Sequence, residues 1–506
     1  MPRLTRIPVA LLIILSVANF HASAQDTTLL PSDPSVLPKT IVPHRNIFGA
    51  NPAAGMQSGV QSEEIESLLP FLGFSGSPYS VGATITPTTT SPEAEEHIAV
   101  DPTNFNHLVA MISDFSQNGG FNLSKYAFST TDGSSWSQSF VPTSGGFPKT
   151  ADGHSWQANS DPTVAIDKLG NVFLSNLYLQ VNSSGNVTND GLYVCGAKLF
   201  SGGKFTSSTC HAVRTTLTAS SNLEDKPWLA VDNSTAVTSG NVYATWTHFT
   251  ATSDAIYFSR STNHGVNWSS AIRINPTIQN GAVQGSQVSV GPGGEVYVAY
   301  EVFLGTTGAQ GRHFIAKSTN GGVSFSAPVP MSPTFNNLSF HANYRDNSFP
   351  ALAVGPVAGK AFIYDVYTDQ PATNSRTAFV HSTTSGGLTF TAPISANDAT
   401  KGQRLMPAVA ADNKGVVHIS WFDTRNFSTT ANLDIYATFT TNNGSSFAPN
   451  AKVTSTHITT TANDFIGDYS GIAAEPNSVT SLAHPVWTSA GLNETSHMHT
   501  ATLTVP

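Results

Sequence analysis

The stretch STTDGSSW at residues 129–136 is the first copy of an eight-residue pattern, Ser/Thr-x-x-x-Gly-x-x-Trp/Phe. Further copies are STNHGVNW at 261–268, STNGGVSF at 318–325, TTSGGLTF at 383–390 and TTNNGSSF at 440–447, with a degraded copy, KLFSGGKF, at 198–205. The closing aromatic residues of these copies are 57 to 69 residues apart. A period of this length indicates one supersecondary unit that is repeated along the chain.

A second repeat runs in register with the first and sets the number of units. Each instance is an apolar run that ends in Asp, Gly or Glu and is followed by a short turn and a second apolar or aromatic run. The first runs are HIAVD (97–101), TVAID (163–167), WLAVD (228–232), QVSVG (287–291), ALAVG (351–355), VAAD (409–412) and GIAAE (471–475). Two β-rich runs joined by such a turn make a hairpin, so the chain holds seven hairpins.

Four strands to a unit predict an all-β protein, a β-propeller of seven four-stranded blades. The last unit lacks its outermost strand, and the segment YSVGATIT at 79–86 can supply it and close the ring. Closure removes the exposed sheet edges that are the main hazard of an all-β fold.

The eight-residue pattern resembles the Asp-box, or bacterial neuraminidase repeat, of the sialidase superfamily, and the resemblance covers nearly the whole chain from about residue 97. It implies a sialidase-like propeller in which each box turn joins the two outer strands of a blade. Sialidases proper have six blades, which leaves six as the alternative to seven. We expect the box residues to be structural: the polar side chains hold the turn, Gly permits a positive φ, and the aromatic ring packs between sheets.

Composition and the N-terminus point to a secreted protein. Residues 1–24 have the basic start, apolar core and small-residue cleavage site of a signal peptide, residues 25–78 are rich in Pro, Ser and Gly and are expected to form a flexible leader, and residues 79–506 form the propeller. No segment is long and apolar enough to span a bilayer. The net charge of -9 argues against nucleic acid as a primary partner.

The chain contains two cysteines, Cys195 and Cys210, which lie almost symmetrically about the turn of the degraded box. This spacing places them opposite each other on paired strands. In an oxidising compartment such a pair forms a disulfide, and the alternative is a pair of buried thiols. Neither a metal site nor a cofactor is expected.

Strand direction predicts where the chemistry lies. The box turns share one face of the ring, whereas the residues before each first strand and after each second strand share the other, around the mouth of the central channel. The residues before the first strands include Glu95, Glu96, His97, Asp161, Glu224, Asp225, Lys226, Gln284, Gln287, Arg345, Arg404, Asp468 and Tyr469, and those after the second strands include Asp114, His248, Glu301, Asp365, Asp423 and Arg425. Carboxylates, arginines and aromatic rings on one face are the ingredients of a sugar-acid pocket.

The resemblance to sialidases implies roles for these residues. Three arginines clamp the substrate carboxylate in that family, and Arg345, Arg404 and Arg425 are the arginines that this topology brings to the mouth. A tyrosine nucleophile paired with a glutamate corresponds to Tyr469 with Glu301, and the acid corresponds to Asp161 or Asp225.

The sequence also departs from the family, because no arginine lies between Arg45 and Arg214 whereas sialidases place their first arginine near the start of the propeller. Local structural roles are therefore the alternatives: an ion pair between Asp423 and Arg425 that closes a loop, or a hydroxyl of Tyr469 that satisfies a backbone group.

Two functions follow from these observations. The first is a secreted, retaining glycoside hydrolase resembling exo-α-sialidases, which acts on terminal sugar acids or related glycans. The alternative is a non-catalytic propeller that binds a glycan or a protein at the same mouth. Because a propeller with latched ends needs no partner to fold, we expect a monomer.

Overall fold

The structure is a computed structural model. It describes residues 79–82, 93–114, 123–142, 156–181, 187–216, 222–305, 308–338, 348–357, 360–429, 431–460, 466–476, 480–491 and 494–506. The expected signal peptide and leader, residues 1–78, lie outside the described residues.

Seven antiparallel sheets of four main strands each form seven blades in chain order. Blade 1 contains β2 (Glu93–Val100), β3 (Leu108–Asp114), β4 (Leu123–Ser129) and β5 (Ser137–Phe140). Blade 2 contains β6 (Ala158–Ile166), β7 (Val172–Val181), β8 (Val187–Ala197) and β9 (Cys210–Thr216). Blade 3 contains β10 (Leu223–Val231), β11 (Val242–Phe249), β12 (Asp254–Ser261) and β13 (Ile272–Arg273).

The second half of the ring repeats this arrangement. Blade 4 contains β14 (Val283–Val290), β15 (Val296–Leu304), β16 (Gln310–Ser318) and β17 (Val329–Pro330), with β18 (Phe335–Asn336) also paired to β16. Blade 5 contains β19 (Ala351–Val357), β20 (Lys360–Asp369), β21 (Arg376–His381) and β22 (Ile394–Ser395). Blade 6 contains β23 (Arg404–Ala411), β24 (Val417–Asp423), β25 (Asn432–Thr440) and β26 (Ala451–Lys452), with β27 (Ile458–Thr459) also paired to β25.

Blade 7 combines both ends of the propeller. It contains β28 (Gly471–Ala474), β29 (Leu482–Gly491), β30 (Glu494–Thr500) and β31 (Leu503–Thr504), and its outermost strand is β1 (Ser80–Val81), which pairs with β31. The described part of the expected latch, residues 79–82, therefore closes the ring. The prediction of seven blades is confirmed, and the six-bladed alternative is wrong.

Four of the eight-residue copies form the same turn between the third and fourth strands. The hydroxyl of the first residue accepts two backbone N–H groups; for Ser129 the donors are Thr131 at 3.1 Å and Gly133 at 3.0 Å. The first residues of the copies at 261, 318 and 440 accept the same pair of bonds. The fourth and fifth residues have positive φ, 51° and 72° in the first copy, which explains the glycine at the fifth position. The copy at 383–390 differs, because Gly387 N–H donates instead to Thr384 O.

The closing aromatic ring of a copy packs against the preceding blade. Phe325 lies 4.8 Å from Phe258 between their ring centres, and Phe447 lies 5.3 Å from Phe379. Each contact buries apolar surface between two sheets, which is the main stabilising contribution in a ring that has a separate core at each blade interface.

The cysteines of blade 2 form a disulfide. Cys195 on β8 is opposite Cys210 on β9 in the strand register, and their sulfurs are bonded. The three short 3-10 helices of the described residues are Leu199–Ser201, Ser207–Thr209 and Thr277–Gln279. Within the described part of the chain, no helix has the length and hydropathy needed to cross a membrane.

Candidate functional site

The channel-lining first strands of five blades share one irregularity near their start. The register with the second strand shifts at the same place in β2, β6, β10, β14 and β23. The residue inside each shift has a positive φ; these residues are Glu95 (65°), Asp161 (50°), Lys226 (50°), Gly285 (68°) and Met406 (43°). Residues other than glycine rarely adopt a backbone conformation with positive φ. Bulges of this kind change the direction of side chains and are common next to functional sites.

Lys226 links three blades at these bulges. Its backbone N–H donates to Asp161 Oδ2 in blade 2 at 3.2 Å, and its Nζ forms an ion pair with Asp468 Oδ2, which precedes the first strand of blade 7. Blades 3 and 7 are not neighbours in the ring, so the lysine side chain extends across the mouth of the channel. Its ammonium group also lies 5.9 Å from the centre of the Phe349 ring of blade 5.

Asp225, the neighbour of Lys226, is a half-buried carboxyl group whose oxygen Oδ2 accepts a hydrogen bond from Gln284 Nε2 of blade 4 at 2.8 Å. Its pKa is raised to about 7. Burial is the main cause, Lys226 partly offsets it, and the nearby charges of Asp161 and Asp468 raise the pKa further. Asp225 therefore carries a proton to near neutral pH, where it can donate that proton.

Tyr469 completes the polar part of the mouth. Its hydroxyl donates to Pro162 O in blade 2 at 3.2 Å, and its ring meets the Trp228 ring edge-on at 5.7 Å. Burial, together with the charges of Glu95, Asp161, Asp468 and Glu96, raises the pKa of Tyr469 well above its usual value. The phenol is therefore neutral.

Glu96 lies beside this group as a second carboxyl group with a raised pKa. It is fully buried, and neither of its oxygens has a hydrogen-bond partner among the described residues. Burial raises its pKa well above the usual range, which favours the protonated form.

A cavity of about 260 Å³ is lined by the first strands of all seven blades, and its lining includes His97, Trp228 and Ser470, which follow closely on the mouth residues Glu96, Lys226 and Tyr469 in the chain. Its wall includes the half-buried rings of His97 and Trp228, which meet edge-on at 4.7 Å. His97 Nδ1 accepts the N–H of Val164 at 3.2 Å, and burial lowers the pKa of His97 to about 4. The cavity thus presents neutral aromatic rings next to a group of carboxyl side chains.

The structure brings together three of the residues singled out in the sequence, Asp161, Asp225 and Tyr469, through the contacts described above. Glu301 has different neighbours: it lies on β15 in blade 4, where Asn337 Nδ2 donates to its Oε1 at 3.1 Å. The carboxyl groups that act on Tyr469 are Glu95, Asp161, Asp468 and Glu96.

The arginines have structural partners. Arg404 is fully buried, and its guanidinium donates to the carbonyl oxygens of Ser375 (3.1 Å), Gly402 (2.8 Å) and Ala399 (2.8 Å). Its Nε also lies 3.3 Å from Asp423 Oδ2.

Arg425 donates from both Nε and Nη2 to the same oxygen, Asp423 Oδ2, at 3.0 Å and 2.8 Å, and its Nη1 pairs with Asp398 Oδ1 at 2.6 Å. Its guanidinium stacks 3.9 Å from the centre of the Tyr436 ring. The loop-closing ion pair that the sequence left as an alternative is therefore present. The third arginine of the expected clamp, Arg345, lies outside the described residues.

Sequence reasoning placed Lys226, Glu95, Glu96 and Asp468 on this face but gave them no role. The family resemblance implies a clamp of arginines and assigns no role to a lysine. A usable signal was present: Asp161, Lys226 and Met406 each precede a proline. The residue before proline avoids the right-handed helical region, so this recurrence at the start of three strands marks a special backbone conformation.

No protein-family model matches the chain, and no curated protein matches it. Similar solved structures include a protein of unknown function from Dyadobacter fermentans, 13% identical, with 71% of this chain and 97% of that chain covered and a TM-score of 0.44. They also include the Hadza microbial sialidase Hz136 (14% identical, 80% and 74% covered, TM-score 0.44) and a polysaccharide lyase, an ulvan lyase (10%, 83% and 95%, TM-score 0.46). At these identities and TM-scores the likeness gives no information about the activity of this protein.

Proposed function

We propose that the channel mouth binds a glycan and hydrolyses a glycosidic bond, with Asp225 as the general acid and Asp161 as its partner carboxylate. The observation that carries this proposal is the meeting of both carboxyl groups at Lys226: Asp161 accepts its backbone N–H group, Asp225 precedes it in the chain, and Trp228, two residues further on, lines the cavity. A glycoside hydrolase needs one protonated and one ionised carboxyl group flanking the bond that is cleaved.

The environment of each carboxyl group supports the assignment of roles. Asp225 is protonated near neutral pH, which suits the donation of a proton to the leaving oxygen. Asp161 accepts the backbone N–H of Lys226, so its carboxylate is held at a fixed place beside the acid. The rings of Trp228 and Tyr469 offer apolar surface on which a sugar ring can pack.

Electrostatics favour a neutral glycan over a sialoside. Among the described residues, the mouth has the carboxyl groups of Glu95, Asp161 and Asp468 besides those of Asp225 and Glu96, whose raised pKa favours the neutral form. The ammonium group of Lys226 is already paired with Asp468. A substrate carboxylate would meet like charge there, and Arg404 and Arg425 are engaged elsewhere. The sialidase-like activity suggested by the repeat pattern would require Arg345 and a rearrangement of the other two arginines.

Non-catalytic glycan binding is the second candidate. The hydroxyl of Tyr469 is engaged by a backbone carbonyl group, which favours a fixed binding surface over a free nucleophile. Secretion belongs to both proposals, and the Cys195–Cys210 disulfide supports it because disulfides persist in oxidising compartments.

The test is a panel of fluorogenic glycosides, with neutral sugars and an α-sialoside, assayed with the purified mature protein and with Asp225→Asn. We expect turnover of a neutral glycoside and a decrease in kcat of about 10²- to 10⁴-fold in the variant. The matched control is Asp254→Asn, the same change in the same blade at a buried carboxyl group on the third strand, whose pKa is also raised, to about 8.

The control is expected to keep its activity within about threefold. Absence of turnover on every substrate, together with glycan binding that Trp228→Ala abolishes, would favour the non-catalytic function. Efficient hydrolysis of the α-sialoside alone would contradict the preference for neutral sugars.

A further inference from the structure

Three side chains that can bind a metal meet on the face opposite the channel mouth, where blade 7 closes against blade 1. Nε2 of His484 on β29 lies 3.2 Å from Asp132 Oδ1 in the first repeat turn and 3.3 Å from Glu475 Oε1 at the end of β28. His484 and Glu475 are almost fully buried, whereas the Asp132 side chain is 36% exposed. Among the described residues, this is the one group of three such side chains whose ligand atoms lie within reach of a single ion.

The other blade interfaces share parts of this arrangement, as with His418 and Asp412 in blade 6, but in the described part of the chain they do not combine all three side chains. The register position of His484 on the second strand is occupied elsewhere by Val109, Phe173, Tyr243, Tyr297 and His418. The turn position of Asp132 is occupied by His264, Gly321 and Asn443 in the other turns of this type. The combination of two carboxylates and an imidazole is thus particular to the interface that closes the ring, and the repeat architecture does not require it.

Hydrogen bonding within the group leaves one oxygen unsatisfied. A single imidazole nitrogen faces two carboxylate oxygens, and one N–H group cannot point at both. The contact to Glu475 is a hydrogen bond, but Asp132 Oδ1 is buried without any hydrogen-bond partner. Asp132 Oδ1 makes an ion-pair contact with this nitrogen but accepts no hydrogen bond, so both atoms have the capacity to ligate a cation.

We propose that Asp132, Glu475 and His484 bind one zinc ion at the seam between blade 7 and blade 1. With bonds of about 2.0–2.1 Å, a tetrahedral site separates its ligand atoms by about 3.3–3.4 Å. The separations of 3.2 Å and 3.3 Å match this spacing. Zinc is favoured over calcium because one ligand is an imidazole and three protein donors are too few for a calcium site.

The exposed side of Asp132 provides the entry path and leaves the fourth ligand position to water. The ion would join residues of the first and last blades, which are 343 and 352 positions apart in the chain (475 − 132 and 484 − 132). It therefore stabilises the closed ring. The site is on the opposite face from the channel mouth, so it is independent of the proposed hydrolase activity.

The test is zinc titration by calorimetry of the full mature protein after treatment with a chelator. We expect one equivalent to bind and to raise the melting temperature, because a ligand that binds the folded state alone stabilises it. Asp132→Asn, Glu475→Gln and His484→Gln should each weaken zinc binding at least tenfold. Asp132→Asn should leave the turn folded, since Asn443 occupies the same turn position at a φ of 54°.

The matched control is His264→Gln, which removes a half-exposed histidine at the same turn position of blade 3, where it lies 3.5 Å from Asp167 Oδ2. It should leave the zinc stoichiometry unchanged. Absence of zinc binding in the wild-type protein would overturn the proposal and leave a plain ion triad. Equal zinc binding by wild type and by Asp132→Asn would also overturn it, as would binding of calcium in preference to zinc.

Discussion

Asp225 shows how strongly the surroundings of one residue determine what its side chain can do. Its carboxyl group is half-buried, it borders Asp161 and Asp468, and the cation beside it is already shared with Asp468. The groups that shift its pKa come from different blades: Asp161 from blade 2, Lys226 from blade 3 and Asp468 from blade 7. A carboxyl group that would titrate near pH 4 on the surface therefore holds its proton to about pH 7.

This shift predicts how Asp225→Asn changes stability with pH. Because the folded-state pKa lies above the unfolded value, the stabilisation from the protonated form is fully present below about pH 4 and is lost as the pH rises through about 7. Asparagine resembles the protonated form at every pH. The variant should therefore gain stability relative to wild type between pH 4 and 7, by at most about 1.4 kcal/mol per pH unit. Denaturant unfolding at several pH values measures this, and a difference that stays constant would contradict the raised pKa.

The hydrogen-bond partners of the arginines could not be predicted from the sequence. Arg404 was correctly placed at the start of a first strand, but its hydrogen bonds go to carbonyl groups at 375, 399 and 402. Such contacts depend on the path of loops that carry no motif. Asp161, Asp225 and Tyr469 could be placed at the mouth because their position follows from strand direction alone.

At the scale of the strand, the bulges that form the mouth also bring neighbouring blades into close contact. The bulge residue of blade 4 is Gly285, with a φ of 68°. A Cβ atom at this position would lie 2.1 Å from Cδ1 of Phe349 in blade 5. Glycine is required there both by the backbone conformation and by the ring above it.

We expect Gly285→Ala to destabilise the protein by about 2 kcal/mol or more, since the strained φ and the clash act together. Gly202→Ala is the matched control: its φ is 84°, but a Cβ atom there would meet nothing within 4 Å. The control should lose about 1 kcal/mol from the backbone conformation alone. Denaturant unfolding compares the free energies of unfolding of the two variants. Equal decreases would show that the Phe349 ring moves aside at little cost, and the predicted clash would be wrong.

Periodicity in the sequence predicted the strands well but not these bulges. Hairpins and repeat turns follow from apolar runs and from glycine at a fixed offset, features that recur at each unit. A bulge adds one residue to a strand without changing its composition, so alternation does not reveal it. The turn at 383–390 shows the converse, because it matches the pattern and yet forms different hydrogen bonds.

At the scale of the whole molecule, the ring is held closed where its ends meet. Tyr79, next to β1, is 5% exposed and packs 4.8 Å from the Phe439 ring of blade 6. Its hydroxyl lies 2.5 Å from His418 Nδ1 and 3.1 Å from Thr438 O. Blade 7 has no repeat turn, and Tyr79 provides the contact to the preceding blade that such a turn makes elsewhere.

Removal of this contact should loosen one blade of the ring before the others. Tyr79→Ala deletes a buried aromatic ring and should lower stability by about 3–5 kcal/mol, whereas Tyr79→Phe loses the hydrogen bonds alone, about 1–3 kcal/mol. Hydrogen exchange followed by mass spectrometry should show faster exchange in β29 and β31 of blade 7, with blade 3 unchanged. Val237→Ala, at a fully exposed side chain, is the control and should change neither the stability nor the hydrogen exchange. If Tyr79→Ala accelerated exchange equally in all blades, the ring would open as one unit, and closure by a local latch would be wrong.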